Sequence, residues 1–295
     1  MIMPPVRDPN WDCGRIAASR RGWQMRLALL GGGTIARLVL ENLRCGALPG
    51  IEVVALAGRG GATRAAALAG DSGIDYVLGA QALCAARPDV VLEAASHDAV
   101  RTGLVALLAA GTSVIVLSAG ALVDDALRRE AEAAARSSGA LLYVPSGGIG
   151  ALDALKGACA AGEVEVSIQV AKPPAAWRKI GYVESLGIDL ESLAGATTLF
   201  DGPARAGVPH FPQNVNIAAV LSLAGVGFDR TRLRVVADPA LTRNTHTIRV
   251  SGKTGQFTIV LENVPAPDNP KTAWLACYSA LAAIREVGSP ARYGT

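Results

Sequence analysis

Arg26-Leu27-Ala28-Leu29-Leu30-Gly31-Gly32-Gly33-Thr34-Ile35-Ala36 is an apolar run that breaks into glycines and resumes at helical spacing. Before the break it reads as a buried strand. After it, Ile35, Leu38, Val39 and Leu43 mark one face of a helix. Gly31 permits a tight turn out of the strand, Gly33 lets a pyrophosphate approach the backbone, and the small Ala36 lets the helix lie close to the sheet. The amides of Thr34 and Ile35 open that helix and face the phosphates. Ile51 to Ala57 then supplies a second buried strand at β-α-β distance. The stretch reads as a dinucleotide-binding turn. A purely structural turn also favours glycine, so the rest of the chain must decide between the two.

Outward from this stretch, 295 residues suffice for two domains, and 51% hydrophobic with only 4% aromatic residues suits a closely packed α/β protein. The formal charge of +3 is spread over 28 basic and 25 acidic residues without long runs, which argues against a nucleic-acid or membrane surface and leaves room for a small anion. Leu104 to Val123 is apolar, yet Gly111, Thr112, Ser113, Ser118 and Gly120 interrupt it as a helix, turn and strand would. Cys13, Cys45, Cys84, Cys159 and Cys277 are scattered and read as reduced thiols of a cytoplasmic protein. Residues 1–24 carry prolines and charges but no sustained period, and read as an arm before a folded unit that starts at Met25.

The second strand ends in Gly58-Arg59-Gly60-Gly61, without the acidic residue that would hold the ribose hydroxyls of NAD. Arg59 either faces the 2′-phosphate of NADP or is a solvated loop residue. Val90 to Ala95 reads as a buried strand ending at Ala95-Ser96-His97, where parallel strands present their carboxyl ends to ligand. A helix over 99–110 and a strand over 114–117 follow, and the turn Ser118-Ala119-Gly120 leaves space for a flat ring. With a helix over 124–136 and a strand over 140–144, the alternation predicts a Rossmann-type, doubly wound parallel sheet over 25–145. At Pro145-Ser146-Gly147-Gly148 a capping Ser146 is expected to open a helix whose amides reach a substrate carboxylate. Residues 146–267 alternate apolar and polar in several runs and predict an α+β domain with a mostly antiparallel sheet. Asp268-Asn269-Pro270-Lys271 reads as the cap of a last helix within 268–295, packed back on the first domain and bringing Asn269 to the cofactor cleft.

His97, His210 and His246 are the available histidines. His246 shares a strand face with Asn244, the arrangement a positioned base and an orienting amide require; His210 lies in an amide-rich loop and His97 on the cofactor side. No carboxylate cluster has ligand spacing, which argues against a metal site, and no Gly-x-Ser-x-Gly elbow is present. Hydride transfer to NAD or NADP is the chemistry these residues fit, with Lys172, Ser146, Asn214 and Asn216 as candidate partners for an anionic substrate.

Pro145-Ser146-Gly147-Gly148-Ile149-Gly150, Lys172-Pro173-Pro174, Phe211-Pro212-Gln213-Asn214-Val215-Asn216, Arg243-Asn244-Thr245-His246 and Asp268-Asn269-Pro270-Lys271-Thr272 occur in that order, and in this the chain resembles the L-aspartate dehydrogenases from about Met25 onward. Gly148 and Ala151 depart from that pattern by small exchanges. The resemblance implies reversible NAD(P)-dependent oxidation of L-aspartate to iminoaspartate, which hydrolyses to oxaloacetate and ammonia or feeds pyridine-nucleotide synthesis. It also implies His246 as the acid/base residue, with Asn244 beside it, and a homodimer. Two rival builds are reductases similar to dihydrodipicolinate reductase or homoserine dehydrogenase. The former would show a His-His pair, which is missing here. A sensor that binds NAD(P)H without turnover is the rival from another class.

Overall fold

The computed structural model describes residues 24–60, 63–212, 214–266, 269–291 and 293. The arm, together with Gln213 and Asp268, lies outside them except for Gln24. The first half runs β1 (Met25–Leu30), α1 (Thr34–Arg44), β2 (Ile51–Gly58), α2 (Arg64–Ser72), β3 (Tyr76–Leu78), β4 (Val90–Glu93), α3 (His97–Ala109), β5 (Ser113–Val116), α4 (Asp125–Ser138) and β6 (Leu142–Tyr143). Its strands form one parallel sheet in the order β3-β2-β1-β4-β5-β6.

Alternate residues of β1 feed two different cores, because successive side chains of a strand point to opposite faces. Leu27 and Leu29 pack with Leu38 and Val39 of α1, whereas Ala28 and Leu30 pack with Val100, Leu104 and Leu107 of α3. Burial on both faces is why the strand sequences are continuous apolar runs.

The second half runs α5 (Leu152–Ala160), β7 (Val164–Lys172), α6 (Gly181–Ser185), β8 (Thr197–Pro203), α7 (Ala204–Gly207), α8 (Asn216–Ala224), β9 (Thr231–Ala237), β10 (Asn244–Gly252), β11 (Gly255–Asn263), β12 (Pro265–Ala266), β13 (Asn269–Ala273) and α9 (Trp274–Val287). Its main sheet has the order β11-β10-β7-β9-β8, antiparallel except for the β7–β9 pair. Val166, Ile168, Val170, Leu233, Val235 and Ile248 turn one face toward Leu155 of α5 and Leu221 of α8. Glu165, Arg232, Arg234 and Arg249 stand exposed on the other, which explains the two-residue alternation. The expected combination of a doubly wound parallel sheet with a mostly antiparallel second sheet is the architecture found.

Two local expectations are corrected. Ser146 caps no helix: it lies in a turn, and α5 starts only at Leu152, after Ala151 in the left-handed region at φ 65°. Asn269, Pro270 and Lys271 likewise open no helix. They belong to β13, which pairs with β12, and Trp274 N donates to Val264 O at 2.8 Å before α9 begins. A residue preceding proline is pushed toward extended backbone, and a two-stranded ribbon can place a proline where no donor is needed, so the signals of a helix start serve a strand here. Cys277, Ala280, Leu281 and Ile284 of α9 join Met25, Leu27 and Leu29 in the core of the parallel sheet.

Candidate active site

The parallel sheet reverses its winding between β1 and β4, and the carboxyl ends of strands at such a reversal are where open α/β sheets take ligands. Gly31 leaves β1 at φ +105°, and a Cβ there would sit 2.8 Å from Ala94 O. Gly33 has open space where a Cβ would project. It stands at the N-cap of α1 without a side-chain cap, and no acidic residue occupies the first turn, so the amides around Thr34 and Ile35 are available to an anion. These features fit the pyrophosphate of a dinucleotide. Arg59 is exposed at the end of β2, beside the place of the adenosine ribose.

On the other side of the crevice, Ala95 is exposed and Ser96 caps α3, its hydroxyl accepting from Ala99 N at 3.2 Å. Ser118 and Ala119 are buried after β5. Both loops converge on Glu93, the last residue of β4, which the sequence reading passed over. Its Oε1 accepts from Ala95 N (2.8 Å), Ser96 N (3.1 Å) and Ser118 Oγ (2.9 Å), and its Oε2 from Ser118 N (2.9 Å). Burial pushes the Glu93 carboxyl up, and the donors pull the other way.

His97 begins α3 and is buried, its Nε2 2.7 Å from Asn216 Oδ1 at the start of α8. Gly120 N donates to the same oxygen at 3.0 Å, so the oxygen is an acceptor and His97 donates through Nε2. Burial, ahead of the other effects, lowers the His97 pKa. Asn216, expected on the substrate, therefore commits its carbonyl oxygen to joining α8 to the cofactor sheet. Gly120 leaves room for this bracket, since a Cβ there would meet His97 Cε1 at 2.5 Å.

Two residues before Asn216, Asn214 accepts at Oδ1 from Lys172 Nζ at 3.0 Å. Lys172 is buried at the end of β7 and lies 5.4 Å from the centroid of the Trp177 ring. Next to β7, β10 carries Asn244 and His246, both buried. Among the described residues, His246 Nδ1 is buried without a hydrogen-bond partner. Burial, and then the positive charge of Lys172, push its pKa down to about 3. Asn244 pairs in register with Asn263, whose Nδ2 donates to Gly148 O at 2.8 Å, and Gly147 N donates to Ser279 Oγ at 3.0 Å. The segment from Ser146 to Gly150 is thus held at the junction of β11 and α9 as a loop. His210 is exposed and stacks on Tyr182 at 4.1 Å in an aromatic cluster with Phe200 and Phe211, and Phe211 in turn packs on Trp177 beside Lys172. The backbone of Asn269 pairs with Ala266. Lys172, whose charge acts on His246, is hydrogen-bonded to Asn214, and Asn216, two residues on, reaches Gly120 of the β5 turn.

Residues 153–287 match the family model described as "Aspartate dehydrogenase, C-terminal", and residues 31–145 match "Homoserine dehydrogenase, NAD binding domain". The chain is 44% identical over 260 residues to "L-aspartate dehydrogenase 2" of Bordetella pertussis, covering 88% of this chain and 96% of that one. The chain belongs to the L-aspartate dehydrogenase family. An L-aspartate dehydrogenase of Methanosarcina barkeri is 44% identical over 207 residues, 70% of this chain and 76% of the relative. The crystal structure of aspartate dehydrogenase from Thermotoga maritima superposes with a TM-score of 0.69 at 26% identity, covering 92% of this chain and 100% of that one. Membership in the L-aspartate dehydrogenase family accounts for a dinucleotide-binding first half. Glu93 and Asn263 are buried polar residues that hold the loops of this region and that sequence reasoning missed. A glutamate closing an apolar strand was the one available signal for the first, and no local signal marked the second.

Proposed function

We propose that this protein oxidises L-aspartate at Cα, reversibly, with NAD or NADP as hydride acceptor, through His246 as proton acceptor and Lys172 as anchor for a substrate carboxylate. The observation that carries the assignment is the buried, unpartnered Nδ1 of His246 in the field of Lys172. Leaving such an atom unsatisfied costs about 1–3 kcal/mol, so a hydrogen-bonding ligand group is the natural partner. Aspartate brings the needed pair, an α-ammonium for His246 and carboxylates for Lys172.

With its pKa near 3, His246 is too weak a base in the free protein. Burial is the larger cause; a substrate carboxylate beside Lys172 offsets the second one, the positive charge, and the base gains strength as substrate binds. His246 then takes a proton from the α-ammonium, and the amine lone pair drives the hydride off Cα. The nicotinamide, when bound, supplies the hydride acceptor. Water converts iminoaspartate to oxaloacetate and ammonia. Asn244, on the same strand face as His246, orients the amino group, and Asn214 holds the Lys172 ammonium in place. The loop of Ser146 and the carboxamide NH2 of Asn216 are further candidates for the second carboxylate, while the Ser118-Ala119 turn and Ala95, Ser96 and His97 border the nicotinamide half. Asn269 is a further candidate for the cofactor. Arg59 extends acceptance to NADP.

A homodimer is proposed on the family resemblance, with the uncovered face of the second sheet, where Val260 is exposed, as the available surface. A reducing, cytoplasmic setting is supported by the free Cys45, Cys84, Cys159 and Cys277. Among the described residues, no helix is long and apolar enough to cross a membrane. The test is a substrate screen over L-amino acids with both cofactors at alkaline pH. Reduced nicotinamide should accumulate with L-aspartate, and its failure to do so with either cofactor removes the assignment and favours a non-catalytic NAD(P)H-binding protein.

A further inference from the structure

Glu93 is a buried carboxylate whose four hydrogen bonds all go to two loops, one after β4 and one after β5. A dinucleotide crossing the crevice places its adenosine half at the end of β2 and its pyrophosphate at α1. The nicotinamide half must then extend over the ends of β4 and β5, the two loops that Glu93 ties together. We propose that Glu93 is a positioning residue for the nicotinamide half of the cofactor: it binds Ala95, Ser96 and Ser118 to one carboxylate and so fixes the width of the slot the ring enters. The inference rests on the dinucleotide reading above.

The donor set makes the chemistry specific. Three backbone N–H groups and one hydroxyl converge on two oxygens, and an acceptor-only carboxylate satisfies them all. Hydrogen bonds to an ionised acceptor are roughly twice as strong as neutral ones. In Glu93→Gln, the amide oxygen retains the three contacts of Oε1, but the amide NH2 faces the N–H of Ser118, donor against donor. The β4 loop is kept and the β5 turn is released, so the slot widens on one side only. Nothing in this change touches Gly31, Gly33 or Arg59.

The experiment compares NADH with ADP-ribose, which shares the adenosine and pyrophosphate but lacks the nicotinamide, as titrants of the full-length chain by calorimetry. Glu93→Gln should weaken NADH on the order of tenfold, the effect of one lost charge-assisted bond, and leave ADP-ribose within about twofold. Ser118→Ala, which removes only the hydroxyl contact, should show the same selectivity at roughly threefold and serves if the glutamine variant does not fold. Equal weakening of both ligands overturns the proposal, since a general structural role would loosen both, and so does unchanged NADH affinity. A wild-type protein that binds neither ligand defeats the dinucleotide reading itself, a failure distinct from loss of selectivity.

Discussion

His246 should make the protein acid-labile, and the size of the effect follows from its surroundings. In the unfolded chain a histidine titrates near 6.5, whereas burial and Lys172 hold His246 near 3 in the folded chain. Between these values the unfolded state binds a proton that the folded state refuses, so falling pH draws the equilibrium toward unfolding. The cost is about 1.4 kcal/mol for each pH unit below 6.5, or about 2 kcal/mol at pH 5, and it grows until the folded form itself titrates. Above pH 6.5 both states are neutral and the residue adds no pH dependence. His97, also depressed by burial, acts with the same sign, so the His246 share must be read as a difference between variants. Urea unfolding of wild type and His246→Gln at pH 7.5 and pH 5.0 supplies it. The wild type should lose about 2 kcal/mol more than the variant between the two conditions. Parallel losses, within about 0.5 kcal/mol, would refute the claim that His246 is held neutral by its burial.

In His246→Ala, cofactor affinity should stay near wild type while kcat falls by about a hundredfold or more, the scale of a lost general base; single-turnover hydride transfer measures it, and near-normal turnover would return the role to water. Lys172→Met should raise KM for L-aspartate at least tenfold with little change in KM for the cofactor, checked by initial rates, because it removes a charged partner of the substrate. Arg59→Ala should raise KM for NADP more than KM for NAD, and equal effects would make Arg59 a solvated loop residue. Gly31→Ala should destabilise the protein by about 1–3 kcal/mol in thermal or urea unfolding, because alanine would have to adopt φ +105° with its Cβ 2.8 Å from Ala94 O.

Five of the six parallel strands were legible in the sequence because their information is local; the three-residue edge strand β3 was too short to show a pattern. Each strand is an apolar run, each turn carries small residues, and the β1–α1 junction announces itself with Gly31 and Gly33. That Asn244 and His246 share one buried face of β10 was legible for a related reason: a strand period of two fixes which side chains share a face. The helix start expected at Asn269-Pro270 shows where local signals end. Proline and a preceding extended residue suit a helix entrance and a short ribbon equally, and pairing of Ala273 with Pro265, a tertiary fact, selects the ribbon. Ser146 fails likewise, because Gly147 N finds its acceptor on Ser279, 132 residues away. Glu93 could be seen as an oddity at the end of a buried strand, but its meaning depends on Ser118, 25 residues on.

The same nonlocal contacts tie the two halves into one reacting geometry. Lys172 and His246 lie on adjacent strands of the second sheet, and the nicotinamide belongs over the first, so hydride transfer depends on the fixed relation of two separately built cores. Asn216 supplies that relation with one oxygen, accepting from Gly120 of the β5 turn and from His97 of α3. Its backbone sits two residues beyond Asn214, which accepts from Lys172. A displacement of the β5 turn would therefore shift the start of α8, and with it the partner of the ammonium that, after burial, lowers the basicity of His246. In the proposed mechanism this short asparagine-bearing segment couples cofactor docking to proton acceptance, and a side chain at position 120, which would meet His97 and Asn216 Oδ1, should disturb both.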